Sequence, residues 1–251
     1  MPLIVGGGGA AADIAGVAAS YGPAAAAAIV SWRMGWLREW AVGIRRWRVP
    51  VRWWAVTLGL PLVFMAAYNV AFVVTGNDDV HLTLLPVLAV SYLPALVVMT
   101  LVSGMEEPGW RGFALPHLQE RFSAVRASLV LGIVWAVWHI PFFALPEARH
   151  GLELEQLGIV MAGAMVEIVA LAFLFTWLYN HTTSTLLCML LHGGINAAAA
   201  SLALSSDALM GSAYVQVALT INAVGILIVV ALLALTRGRL ESRSPSPDTT
   251  G

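Results

Sequence analysis

Charge is scarce in this sequence. Only 11% of its 251 residues are charged, against about a quarter in an ordinary soluble domain. The 13 basic residues nearly balance 14 acidic ones, which argues against a nucleic-acid partner. Lysine is absent altogether, so every basic residue is arginine. Together with the abundance of Ala and Gly, this points to a GC-rich bacterial genome. A single cysteine, Cys188, excludes an internal disulfide. Lying between Leu187 and Met189, it reads as a small buried hydrophobe. The zinc-peptidase pattern HExxH is missing, and no repeat of about 20–50 residues is visible.

What the chain has instead is hydrophobic length. It is 59% hydrophobic, with a mean hydropathy of +0.82. Apolar runs long enough to cross a bilayer, about 20 residues each, cover Trp53–Val74, Leu82–Met105, Ala127–Leu145, Leu157–Tyr179, Ser184–Ser206 and Ala213–Leu235. Residues 1–32 form a weaker first span, starting near Ala10 and interrupted by Asp13 and Pro23. No basic region precedes it, which disfavours a cleavable signal peptide. The expected fold is therefore an all-α, polytopic membrane bundle of about seven helices. Its core covers 33–236, and a polar, Pro/Ser-rich tail at 237–251 reads as disordered.

Arginine sets the expected orientation. Arg33, Arg38, Arg45, Arg46, Arg48 and Arg52 lie between the first two spans. Arg111, Arg121 and Arg126 follow the third, and Arg237, Arg239 and Arg243 follow the last. Only Arg149 falls on the other side, so the positive-inside rule puts the N-terminus outside and the tail in the cytoplasm of a bacterial inner membrane. Arg45–Arg52, interleaved with Trp47, suits an interfacial anchor.

Against this background three polar clusters stand out, because ionisable groups inside a bilayer are costly. The first is Glu106-Glu107-Pro108-Gly109-Trp110-Arg111. Glu107 and Arg111 are four apart and pair on one helical face, leaving Glu106 about 100° away round the helix. A carboxylate shielded from water suits a general base; a plain loop with a topogenic arginine is the simpler explanation of the cluster alone. The second is Trp135-Ala-Val-Trp138-His139, where His139 is the only ionisable group in its span. Alone, it reads as a core histidine bonded to a backbone carbonyl. The third is His192-Gly193-Gly194-Ile195-Asn196. His192 and Asn196 share a face, and the glycines admit a close neighbour; alone, this is small-residue helix packing. Together the three clusters supply a base, two imidazoles and an amide, as one convergent site would.

The order EExxxR, aromatic-xxx-His and HxxxN resembles the three-motif signature of the CPBP intramembrane proteases, the CAAX-protease and bacteriocin-processing (Abi) family that includes the type II CAAX prenyl endopeptidases. The resemblance covers roughly Trp47 to Leu204. It departs from the family at Trp135, where the second motif usually has Phe, an exchange read as a packing change. It implies hydrolysis of a peptide bond in a membrane-associated peptide or protein substrate, with the lipid bilayer as the working medium. Glu106 and His139 would activate the water, His192 and Asn196 would bind a metal or stabilise the oxyanion, and Glu107 and Arg111 would support the site. Two schemes remain open. In one, His139, His192 and Glu106 hold a divalent metal, preferentially zinc. In the other, a metal-free glutamate mechanism uses Glu106 and His139 as bases, with His192 and Asn196 donating to the oxyanion.

Depth poses a difficulty. Hydropathy leaves Glu106 at the edge of its span, whereas about 18 Å of helix separates Ala127 from His139. The groups meet only if Pro86 or Pro94 starts or kinks the Glu106 helix late, giving a helix from about Pro94 to Leu118 beside a wet cavity open to the cytoplasm. Glu167, alone in its span, is either a partner of the site or hydrogen-bonded elsewhere. His81, His117, His150 and His181 read as solvated, and Asn69 and Asn222 as interhelical hydrogen-bonders. Two rival functions are a non-enzymatic membrane scaffold or bacteriocin self-immunity protein of the same fold, and a small proton-relaying transporter. Oligomeric state and substrate identity are not legible.

Overall fold

A computed structural model describes residues 16–75, 81–143, 150–205, 207–237 and 240. Its elements are helical: α1 (Gly22–Met34), α2 (Leu37–Ile44), α3 (Val51–Val74), α4 (Leu85–Leu101), α5 (Glu107–Gly109), α6 (Leu115–Gln119), α7 (Ala124–Trp138), α8 (Ile140–Phe143), α9 (Leu154–Thr182), α10 (Thr185–Ala200) and α11 (Gly211–Leu235). Local chemistry marks the boundaries. Pro23 and Pro86 stand in the first turns of α1 and α4, where a missing N–H costs nothing. Ser184 caps α10 by accepting from the Leu187 N–H, and Glu153 with Gln156 closes a capping box on α9.

The bundle is organised around α10. Thirteen of its 16 residues are buried, because α3 and α4 pack along it and the α4–α5 turn lies against it. A second layer is formed by α9, which packs on both α7 and α11. Outer faces carry exposed Leu93, Val97, Val134 and Leu227, the surface a bilayer solvates in a membrane protein.

The polytopic helical bundle is as expected, and five of the seven expected spans are found among the described residues. Among the described residues five helices are long and apolar enough to cross a membrane: Val51–Val74, Pro86–Gln119, Ala124–Phe143, Leu154–Thr182 and Gly211–Leu235. The expected span Ser184–Ser206 ends as a helix at Ala200 and is too short alone, being wrapped by its neighbours instead. Residues 1–15 of the expected first span lie outside the described residues. So does most of the tail, although Leu240 is buried and its carbonyl accepts from the Asn180 amide at 2.9 Å.

The helix carrying Glu106 also differs from expectation. It begins at Leu85, runs unbroken past Pro94 and breaks at Val102, whose φ and ψ are −101° and −86°. A 3-10 turn follows over Ser103–Glu106, then α5, a π turn over Trp110–Ala114 and α6. Two prolines account for this. Pro108 cannot donate to the Gly104 carbonyl and would clash with it in a regular helix, and Pro116 removes the donor for Gly112. Irregular backbone at depth needs other partners. The Tyr21 hydroxyl donates to the Leu101 carbonyl (2.6 Å) and the Trp40 indole to the Pro108 carbonyl (2.8 Å). The α1–α2 segment thus holds the break open. At Gly104 the turn presses so closely on α10 that a Cβ would fall 2.7 Å from the Met189 carbonyl oxygen.

Candidate active site

The break aims two adjacent carboxylates in different directions. Glu107 is fully buried and its Oε1 accepts from Arg111 Nη1 at 2.9 Å, the expected i, i+4 pair. The same oxygen lies 2.8 Å from Nδ1 of His192 on α10. A carboxylate oxygen only accepts, so His192 Nδ1 carries the proton and its Nε2 points away from Glu107. Arg111 is held on its flat faces too. Its guanidinium lies 4.3 Å from the Trp135 ring centre and 4.4 Å from that of Phe175, the cation–π geometry that replaces water around a buried cation.

Glu106 lies on the other side of the turn, 3% exposed. Its Oε2 accepts from Trp135 Nε1 at 2.7 Å and from Trp110 Nε1 at 3.2 Å. The exchange of Phe for Trp at 135 is therefore more than packing, since an indole donates and a phenyl ring does not. Trp135 is the hub of the site. Its ring centre lies 5.8 Å from that of His139, 5.4 Å from that of His192 and 5.7 Å from that of Phe175.

His139 caps α7, and its Nδ1 lies 2.8 Å from the Trp135 carbonyl. That contact fixes the proton on Nδ1 and leaves the Nε2 lone pair. The carbonyl partner matches the simple expectation for a core histidine, yet the Trp135 ring beside His139 is also the donor to Glu106 and the neighbour of His192. Asn196 is buried one turn beyond His192 on α10. Glu106, Glu107, Arg111, Trp135, His139 and His192 thus meet around one indole.

Sequence reasoning missed Trp110 and Phe175. Trp110 is four residues from Glu106, a spacing that could have flagged it; Phe175 is one of many apolar residues in α9 and carries no signal. Glu167 stands apart from this cluster. Two helical turns before Phe175 on α9, it packs against Gly225 of α11. The expectation that His150 is solvated needs correction, whereas His117 and His181 are half-buried. His150 is buried, 3.0 Å from the Leu209 carbonyl and stacked on Tyr214. His117 stacks on Trp36 and its Nδ1 meets the Phe113 carbonyl, and His181 lies among Trp53 and Trp177. Asn69 does bond across helices, to the Ser201 carbonyl and the Ala203 N–H, whereas Asn222 Nδ2 has no partner.

Among the described residues, no three His, Cys, Asp or Glu side chains form a group that could hold a metal ion. As arranged here, Glu106, His139 and His192 do not make a ligand set.

Residues 86–198, which contain all three motifs, match the family model described as type II CAAX prenyl endopeptidase, Rce1-like. Over 117 residues the chain is 29% identical to a CAAX prenyl protease 2 of Methanococcus maripaludis, an archaeal protein. That similarity covers 46% of this chain and 43% of the relative, so the chain spans less than half the length of the curated protein it matches. Both glutamates, Arg111, both histidines and Asn196 lie inside the matched segment, so the part of the chain that carries the candidate site is the part that is similar to the CAAX prenyl endopeptidases.

Proposed function

We propose that this protein is an intramembrane endopeptidase that hydrolyses a peptide bond in a membrane-associated substrate by base activation of water. The observation that carries the reading is the pinning of Glu106. Two indoles hold its Oε2, which leaves Oε1 as the oxygen to take a proton, beside imidazoles whose Nδ1 atoms are already committed.

In this scheme a water between Glu106 and His139 gives its proton to Glu106 Oε1 or to His139 Nε2 as its oxygen attacks the scissile carbonyl carbon. The carbonyl oxygen becomes an oxyanion. The Asn196 amide donates to it, as does His192 Nε2 when protonated, while Glu107 holds His192 Nδ1. Collapse breaks the C–N bond, and the proton taken from water passes to the leaving amine. Arg111 and Glu107 touch no substrate; they position His192. A ring anchored at Nδ1 with Nε2 available is also how a metal-binding histidine is oriented. A zinc-assisted peptidase on Glu106, His139 and His192 is therefore the second reading, and it requires those groups to draw closer. The arginine distribution supports a multi-pass placement with the tail in the cytoplasm.

The test compares membrane peptides from cells carrying the wild type, Glu106→Ala, His139→Ala or His192→Ala, with prenylated CAAX peptides as the first defined substrates. Each variant should insert normally and lose cleavage. A variant that inserts and still cuts overturns the assignment of that residue. Loss of cleavage by the purified wild type in chelator, restored by zinc, would favour the second reading.

A further inference from the structure

An open cleft of about 960 Å³ lies between the end of α1 and the α2–α3 linker. Trp32, Arg38, Arg45, Arg46, Trp47 and Arg48 line it. All six are exposed, and none of the four arginines has an acidic partner among the described residues, whose ion pairs are those of Glu107 with Arg111 and His192. The backbone beneath them is fixed. The Arg46 carbonyl accepts from the Ser184 hydroxyl at 2.5 Å, and the Trp47 carbonyl from the Trp54 indole at 3.2 Å. The linker therefore presents its guanidinium groups from a tethered strand of chain, with Arg48 lying 5.1 Å over the Trp47 ring.

Depth and charge together select the occupant. Val51, three residues after Arg48, opens a 24-residue apolar helix, so the cleft lies at the level where hydrocarbon gives way to headgroups. Exposed indoles favour that level. Four unpaired guanidinium groups there match phosphate oxygens, which they can grip two at a time. We propose that this cleft binds the headgroup of an anionic phospholipid. Its tryptophans would lie alongside the upper acyl chains, and its arginines would hold the phosphate. The orienting role of these arginines demands only positive charge, whereas a lipid site demands their convergence on one hollow.

Binding is measured without reference to peptidase activity. The full-length protein, purified in a non-ionic detergent, is titrated with phosphatidylglycerol or with phosphatidylcholine, and lipid adducts are counted by native mass spectrometry. The wild type should retain phosphatidylglycerol in preference to phosphatidylcholine. The triple variant Arg45→Gln/Arg46→Gln/Arg48→Gln should lose that preference by about tenfold or more. Should the triple variant fail to insert, Arg38→Gln alone decides, with an expected loss of about fivefold, against Arg237→Gln as a control outside the cleft. An undiminished preference in the variants overturns the proposal. So does displacement of the lipid by millimolar inorganic phosphate, which would make the cleft a site for a free anion.

Discussion

Two regions of this bundle bury carboxylates, and they do so in opposite ways. Glu106 and Glu107 stand on a helix broken into 3-10, α and π turns, and four side-chain donors reach them: two indoles, a guanidinium and an imidazole. Glu167 stands on α9, which runs 29 residues without interruption. It is accommodated by absence, since α11 has a glycine opposite it and a side chain at Gly225 would collide with Glu167 Oε1. The Tyr68 hydroxyl, an electrostatic neighbour of Glu167, and Asn222 Nδ2 remain without hydrogen-bond partners. Both regions break the same rule against ionisable groups at depth. Only the first region spends backbone regularity to aim them, and aiming is what chemistry requires.

The largest effect that would test this contrast is on activity. Glu106→Gln keeps size and polarity but removes the proposed base, and cleavage should fall by about 10²–10⁴. Glu167→Gln should leave it within about threefold of wild type. Equal losses from the two substitutions would erase the distinction between the regions. Stability supplies the next test. Glu107→Ala leaves Arg111 buried among Trp135 and Phe175 without its anion, at a cost of about 3–5 kcal/mol. Unfolding in detergent or yield of inserted protein would reveal it, whereas Glu167→Ala should cost far less.

A finer test concerns the pinning of Glu106. Trp135→Phe deletes one hydrogen bond and keeps an aromatic ring. A bond to a charged acceptor is worth about 1.5–3 kcal/mol, so kcat should drop about tenfold or more with KM little changed and the pH profile altered. An unchanged pH profile would reduce Trp135 to a packing residue. The corresponding test at the other carboxylate is a cycle of Gly225→Ala and Glu167→Ala. Gly225→Ala alone should destabilise by about 1–3 kcal/mol through overpacking. Removing the Glu167 carboxylate should relieve most of that loss, and simple additivity would show that the two do not share the notch.

The residues of the candidate site were more legible in the sequence than the contacts among them. EExxxR announced the Glu107–Arg111 pair because i, i+4 spacing has one meaning on a helix, and the spacing survives the π turn. HxxxN placed His192 and Asn196 on one face for the same reason. Hydropathy found five spanning helices but also counted the buried α10 as one, since an apolar run reports burial whatever it packs against. It did not find the break, because averaging over a window conceals an irregular turn, and Pro94, the more conspicuous proline, is accommodated within α4. Nor did local spacing indicate that Glu107 would share its oxygen with His192, 85 residues away, or that Phe175 would cover Arg111. Such contacts are properties of how helices pack, and periodicity within one helix does not encode them.

A third polar region asks whether irregular backbone alone confers importance. His150 and Gly151 both have positive φ, 52° and 70°, just before α9. The His150 ring stacks on Tyr214 at 3.7 Å, and its carbonyl accepts from the Gly211 N–H at 2.7 Å, tying this turn to the start of α11. Burial holds the imidazole below its ordinary value of 6.5, and the bond to the Leu209 carbonyl opposes that shift only in part. The unfolded chain therefore binds more protons as the pH drops below 6.5, and stability contributed by this turn is present above that pH and lost beneath it. Hydrogen exchange at the Gly211 amide, corrected for its intrinsic rate, should accelerate from about pH 7.5 to about 5.5. His150→Gln should flatten that dependence while leaving cleavage at neutral pH intact. This is the smallest of the expected effects. If His150→Gln instead removed cleavage at neutral pH, strained backbone by itself would predict function, and the distinction drawn between Glu106 and Glu167 would rest on the wrong property.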